Sequence, residues 1–220
     1  MYKFNFSQLW PYLPMLIEGL KTTIWLVAVA LSIGTLIGLV GAVIRLRAPA
    51  PLRWLVQLYI ELIRNTPPLV QIYLIFFGLP ALGLRFQPFT AGALALSIHA
   101  GAYMIEVFRA GLAAVPKGQI EAGRALGLPE TSIFFDISLR PALRAMAPAL
   151  TSEVMMLLLG SSLCGQIAVY ELTAAASDID SRTFRSFEIY LVLGGIYLVL
   201  SLLISGLFAR AERRLLRWAS

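Results

Sequence analysis

The pattern of apolar and charged positions divides the chain into long blocks without charge. Three blocks contain no Asp, Glu, Lys or Arg: Ile24 to Ile44, Phe86 to Ile105 and Ile189 to Ala209. Each block reaches the ~20 residues that a helix needs to cross the roughly 30 Å apolar core of a bilayer. The pattern therefore predicts three transmembrane helices.

Two further apolar stretches contain isolated polar residues. One runs from about Trp54 to Leu79 and is interrupted at Asn65-Thr66-Pro67-Pro68, and the other runs from about Ala145 to Val169 and contains Glu153. A charge at membrane depth costs roughly 2.5–3.5 kcal/mol on insertion scales, so it should face protein or a water-filled path. With these two stretches, the sequence predicts an all-α integral membrane protein with five transmembrane helices.

The predicted spans lie at approximately residues 16–44, 54–80, 86–110, 143–169 and 187–210. A long loop at approximately 111–142 separates the third span from the fourth. Residues 1–220 are expected to form a single transmembrane domain.

The composition agrees with a membrane protein, because 59% of the residues are apolar and only 14% are charged. A soluble domain has about 25% charged residues. In a soluble protein the net charge of +6 would suggest a nucleic-acid partner. In a membrane protein the placement of the charges is more informative, and no nucleic-acid partner is expected.

Basic residues cluster on one side of the predicted spans. Twelve of the 18 lie in three segments that share a side if there are five spans: Arg45, Arg47 and Arg53; Arg109, Lys117, Arg124, Arg140 and Arg144; Arg210, Arg213, Arg214 and Arg217. Segments rich in Lys and Arg remain in the cytoplasm. The N-terminus is therefore predicted outside and the C-terminus in the cytoplasm.

The loop between the third and fourth spans contains a short helical pattern. Gln119 to Leu126 can form a helix, which Gly127 would end in the left-handed conformation and Pro129 would prevent from resuming. Its small residues would let it fit a cleft in a partner. Composition alone leaves an ordinary loop helix as an equal alternative.

Motifs along most of the chain resemble those of one transporter family. Glu121-Ala122-Gly123 followed by Gly127 resembles the EAA loop, the coupling helix of ABC importer permeases. The resemblance extends over three other segments: 18–23 (EGLKTT), 64–71 (RNTPPLVQ) and 102–109 (AYMIEVFR). The chain is identified from these motifs as similar to the permeases of polar amino acid importers, the type that carries histidine, arginine, glutamine or glutamate.

The resemblance implies a function and a set of partners. A permease of this family pairs with a second permease subunit, identical or paralogous, in the bacterial inner membrane. It receives an amino acid from an extracytoplasmic binding protein, and two ATP-binding cassette subunits bind ATP with Mg and hydrolyse it. This chain has no phosphate-binding loop, so it is expected to be non-catalytic and without a cofactor or metal of its own. The residues expected to couple it to the ATPase are Gly118, Gln119, Glu121, Ala122, Gly123, Ala125, Leu126 and Gly127.

Two positions depart from the family pattern. The third residue of the EAA triad is Gly123 instead of alanine, and both are small enough for docking. After the loop the proline comes one residue late, at Pro141, which shifts the expected start of the next helix.

Glu153 is the strongest candidate for contact with the substrate. A carboxylate deep in an apolar span can bind a cationic side chain through charge-assisted hydrogen bonds. The family's histidine and arginine permeases resemble this chain in having glutamate there, so a cationic substrate such as arginine, lysine, ornithine or histidine, or a derivative, is expected. The alternative is that Glu153 pairs with an internal arginine such as Arg64.

Other polar residues within the spans could line the same path. His99 and Tyr103 are four residues apart and share a helix face. Neutral hydrogen bonds could come from Asn65, Thr66, Ser161 and Ser162. The alternative for each is a packing role in which these groups satisfy one another. Glu106 and Arg109 are expected to pair across one helical turn.

Two other classes of membrane protein are alternatives to an ABC permease. The first is a secondary amino acid carrier, driven by an ion gradient, or another membrane transport subunit. A secondary carrier commonly has a second, inverted half, and 220 residues hold no recognisable repeat. A membrane-embedded enzyme would need a catalytic constellation, and none is recognisable.

Overall fold

The computed structural model describes residues 3–215. Within this range the regular structure is all helical: α1 (Leu13–Arg47), α2 (Ala50–Arg64), α3 (Pro68–Tyr73), α4 (Pro88–Ala113), α5 (Lys117–Ala125), the one-turn α6 (Glu130–Ser132), α7 (Leu139–Gly160), α8 (Leu172–Thr183) and α9 (Ser186–Leu215). Tighter or wider turns extend several of them: 3-10 turns at Phe6–Tyr12, Leu79–Leu82 and Ser161–Ile167, and π turns at Leu74–Gly78 and Ile133–Ser138.

Helix α4 lies at the centre of the protein and packs most extensively against α1. Small residues permit the close approach, because Gly34 lies against Ala100 and Gly38 against Met104. In the most apolar 18-residue window of α4, 72% of residues are buried, compared with 6% for the corresponding window of α9. The apolar surface of α9 therefore remains available to lipid or to another subunit.

Four of the helical segments are long and apolar enough to cross a membrane: Phe6–Arg47, Pro88–Ala113, Glu130–Ile167 and Ser186–Arg214. They overlap four of the five predicted spans. The remaining predicted span corresponds to α2 and the Pro68–Leu82 segment, which are bent by 108° relative to each other. The described residues thus provide four spans, or five if the bent pair is counted as one.

Two features were not anticipated by the span boundaries. The helical segment of the fourth span begins at Glu130, well before the predicted start at residue 143, and Pro141 lies in the first turn of α7. Helix α8 follows that span and packs against α1, where the Leu172 N–H donates to Thr23 Oγ1 at 3.0 Å. Of the basic residues predicted for the cytoplasmic tail, Arg217 lies outside the described residues.

Candidate functional site

The second predicted span is broken where two prolines follow each other. Pro67 has no N–H to donate to the Ile63 carbonyl, so the α2 hydrogen-bond ladder ends there. The Gln71 side chain supplies the missing donor: its Nε2 lies 2.8 Å from Ile63 O, 3.1 Å from Thr66 O and 2.8 Å from Thr66 Oγ1. One buried amide thus holds the two sides of the break together.

Gln71 also connects the break to the central helix. Carbonyl oxygens only accept hydrogen bonds, so the amide nitrogen of Gln71 must face Ile63 and Thr66, and its Oε1 faces α4. The His99 Nδ1 lies 3.0 Å from this oxygen and must therefore donate to it. Nε2 remains as the other polar atom of the His99 ring, an acceptor when the ring is neutral.

An aromatic and cationic cluster continues along α4 from His99. The rings of His99 and Tyr103 lie 5.0 Å apart between centroids. The Arg64 guanidinium lies over the Tyr103 ring, with its carbon 5.1 Å from the centroid. This distance is within the range of a cation–π interaction, which holds the guanidinium in position without occupying its N–H donors.

Glu153 lies at the same level as this cluster. Helices α4 and α7 pack antiparallel, with Gly92 against Cys164 and Gly111 against Met146. Tyr103 and Glu153 are each eleven residues from the first contact, counted along α4 and along α7 with the 3-10 turn Ser161–Ile167 that extends it. This register places Glu153 and Tyr103 at a similar height along the two packed segments.

The Glu153 carboxylate is buried and incompletely satisfied. Its residue is 3% exposed, and its Oε1 has no hydrogen-bond partner among the described residues. Arg64 is close enough to act on it electrostatically, but over residues 3–215 no ion pair joins the two. The internal pairing considered for Glu153 is therefore not formed as a direct contact.

The remaining predicted polar residues are distributed differently. Thr66 joins the cluster through Gln71. The Asn65 amide instead turns back to α2 and donates to Glu61 O at 2.8 Å and Glu61 Oε2 at 3.1 Å. Ser161 and Ser162 donate to carbonyls of the preceding turn, Leu158 O at 2.7 Å and Leu159 O at 2.6 Å. Their role in substrate contact stays a prediction.

Sequence reasoning missed two members of the arrangement. Gln71 was not singled out, although a glutamine three residues after a double proline could have been recognised as a donor for the break. Glu171 was also missed: it is fully buried and caps α8 by accepting from Thr173 N at 2.8 Å and Ala174 N at 2.7 Å. Tyr197 is a further donor to it, at 3.3 Å.

The predicted loop helix is present as α5 and ends as expected. Gly127 has φ +74°, in the left-handed region. Leu128 N donates to Gly123 O at 3.1 Å and Gly127 N to Arg124 O at 2.9 Å. These are the two hydrogen bonds of a Schellman motif, which satisfies the last carbonyls of a helix.

Helix α5 attaches to the rest of the protein through its inner face only. Gly123 is buried there, and a β-carbon at this position would lie 2.8 Å from Ile137 Cδ1. An alanine at this position would require the Ile137 side chain to shift. The other predicted coupling residues are exposed, and Leu126 is 79% exposed. Glu130 beside Arg124 raises the pKa of that guanidinium above its ordinary value.

The predicted pair on α4 is confirmed and has a third member. Arg109 Nη2 lies 2.7 Å from Glu106 Oε2, and Arg45 Nη2 lies 3.9 Å from Glu106 Oε1. Glu106 thus links the end of α4 to the end of α1.

The chain is similar in sequence to known membrane components of transport systems. Residues 34–217 match the family described as "binding-protein-dependent transport system inner membrane component". The chain is 36% identical to the glutamine transport system permease protein of Escherichia coli (strain K12), over 97% of this chain and 98% of that protein. It is 32% identical to the arginine transport system permease protein of Bacillus subtilis (strain 168), over 96% of this chain and 97% of that protein.

A solved structure is also similar over nearly the whole length. The crystal structure of an amino acid ABC transporter with histidines superposes with a TM-score of 0.89 at 38% identity, and the match covers 97% of this chain and 100% of that chain.

Proposed function

Since the chain belongs to the family of binding-protein-dependent transport system inner membrane components, and is the permease subunit of an amino acid ABC importer, we propose that it carries a cationic amino acid. Arginine, lysine, ornithine, histidine or a derivative would fit. The chain is non-catalytic, and separate subunits hydrolyse ATP. Membership of this family also decides against a secondary carrier and a membrane-embedded enzyme.

The proposal rests on the burial of Glu153 and on its unpaired carboxylate oxygen. Its Oε1 is buried without a hydrogen-bond partner among residues 3–215. A buried charge without a partner is costly unless something pairs with it. The side chain of a cationic substrate would supply a donor and neutralise the charge at once. The side chain of an acidic amino acid would be repelled, and that of a neutral one would leave only the α-ammonium group to compensate the charge.

The proposed path runs beside the broken span. Glu153, Tyr103 and His99 would contact the substrate, and Thr66 would contribute through the break. Asn65, Ser161 and Ser162 are proposed to contribute neutral hydrogen bonds after a change of rotamer, because their present donors are directed to carbonyls within their own segments.

The proposed topology counts the bent pair as one span. Residues 1–220 then form a single transmembrane domain with five spans, an external N-terminus and a cytoplasmic C-terminus, in the bacterial inner membrane. The bias of Lys and Arg along the chain supports this orientation.

We assign the coupling role to the exposed face of α5. It would dock on one of two ATP-binding cassette subunits, which hold ATP and Mg. The other partners would be a second permease subunit, identical or paralogous, and an extracytoplasmic amino-acid-binding protein. The exposure of Leu126, 79%, supports a partner on this face, because a large apolar side chain at a helix end is otherwise left in water.

The test is Glu153→Gln, which removes the charge and keeps the shape. Hydrogen bonds to charged groups contribute roughly 1.5–3 kcal/mol, so apparent affinity for arginine should fall about ten- to a hundredfold in substrate-stimulated ATP hydrolysis. The matched control is Glu18→Gln, which removes an exposed carboxylate from α1. A well-assembled Glu153→Gln complex with unchanged preference for cationic amino acids would refute the proposal.

A further inference from the structure

We propose that Arg64 binds the carboxylate of the transported amino acid, so that the substrate lies between Arg64 and Glu153. This inference rests on the proposed amino acid transport, with the positive end of the substrate on Glu153. It makes Arg64 a residue that selects for amino acids over amines.

Arg64 differs from the other arginines that lie near acidic residues. Arg45 and Arg109 pair with Glu106, Arg124 with Glu130, and Arg182 with Asp178. Arg64, by contrast, has no ion pair and no hydrogen bond to any residue in the range 3–215, although its charge acts on both Glu106 and Glu153. Its side chain is exposed, so its donors are accessible.

The contact that positions Arg64 leaves its donors free. The guanidinium rests on the face of Tyr103, 5.1 Å from the ring centroid. A cation–π contact acts through the charge of the guanidinium and uses none of its N–H groups as hydrogen-bond donors. The planar edge matches a carboxylate, which it can bind through two parallel hydrogen bonds.

Arg64 and Glu153 are opposite charges that stay apart. Glu106 is already neutralised by Arg109 at 2.7 Å, so Glu153 is the acidic neighbour of Arg64 that lacks a partner. Its Oε1 is buried and has no hydrogen bond among the described residues. A molecule with a carboxylate at one end and a positive charge at the other could form an ion pair with Arg64 and another with Glu153 at the same time.

The alternative is that Arg64 closes directly onto Glu153 and serves only to neutralise it. The two roles differ in what they predict for a ligand without a carboxylate. A counter-ion would affect arginine and its decarboxylated form alike. A carboxylate-binding residue affects arginine alone.

The experiment compares arginine with agmatine, which is arginine without its carboxylate. Binding is measured on the purified complex of permease and ATP-binding subunits, without the binding protein. We expect wild type to bind arginine about ten- to a hundredfold more tightly than agmatine, the range for hydrogen bonds to a charged group. Arg64→Gln should reduce arginine binding to the agmatine level and leave agmatine binding unchanged.

Two variants serve as controls. Arg53→Gln removes an exposed arginine from the same helix, α2, and should preserve the preference for arginine. Arg64→Lys keeps the charge but loses the planar edge, so it should retain an intermediate preference. A well-assembled Arg64→Gln complex that keeps the wild-type preference, or that loses both ligands equally, would overturn the assignment.

Failure of this inference is distinguishable from failure of the proposed function. Glu153→Gln should weaken arginine and agmatine together, because both have the guanidinium group. If it weakens neither, the cationic substrate is refuted. The test of Arg64 then continues with glutamine against its decarboxylated analogue, because the carboxylate is common to all amino acids.

Discussion

Replacing Gln71 with leucine should open the broken span, because this one amide joins the two sides of the break to α4. The substitution removes the donor to Ile63 O and the acceptor of the buried His99 Nδ1–H. Thr66 is exposed, so water can replace its bond. Losing the Ile63 bond costs about 1 kcal/mol and leaving the His99 donor unsatisfied costs about 1–3 kcal/mol, a total of roughly 2–4 kcal/mol.

The loss can be measured as local opening. A change of roughly 2–4 kcal/mol corresponds to about a 30- to 700-fold shift of the equilibrium, since each 1.4 kcal/mol is tenfold. Hydrogen–deuterium exchange of the α3 amides in the purified complex should accelerate by this factor, because exchange reports local opening. The matched control is Gln166→Leu, at an exposed glutamine. Exchange within about threefold of wild type would refute the role given to Gln71.

Two other predictions concern the coupling helix and the topology. Gly127→Pro, which cannot adopt φ +74°, and Glu121→Lys should each abolish substrate-dependent ATP hydrolysis and leave membrane insertion intact; normal transport in both variants would contradict docking through α5. A reporter fused after Ser220 should be cytoplasmic and one fused near Arg85 should be external; finding both on one side would contradict five spans.

The long apolar helices were predictable because the bilayer imposes a simple rule on composition. Blocks without charge, such as Ile24 to Ile44, can be recognised from the sequence alone, and each overlaps a long apolar helix of the structure. The end of the loop helix could also be predicted, because Gly127 adopts the left-handed conformation expected of a glycine at that position. Helix α8 escaped prediction because its residues are too polar to read as a span, and its position depends on distant partners such as Thr23.

The site was predictable in part. Glu153, His99 and Tyr103 were recognised as polar residues within apolar helices, and Pro67 as a break. The 108° bend and the hydrogen bond between His99 and Gln71 depend on packing against α4, which no local pattern encodes. For the same reason the sequence could not separate a paired Glu153 from an unpaired one, since the answer depends on where the Arg64 side chain rests.

A permease that carries a cationic amino acid, as we propose, should distinguish arginine from citrulline in a binding measurement. Citrulline has nearly the same shape and the same α-carboxylate and ammonium groups, but an uncharged side chain. Measured on the wild-type complex without the binding protein, arginine should bind about ten- to a hundredfold more tightly. Equal affinity, or a preference for citrulline, would show that the permease does not select for a cationic side chain.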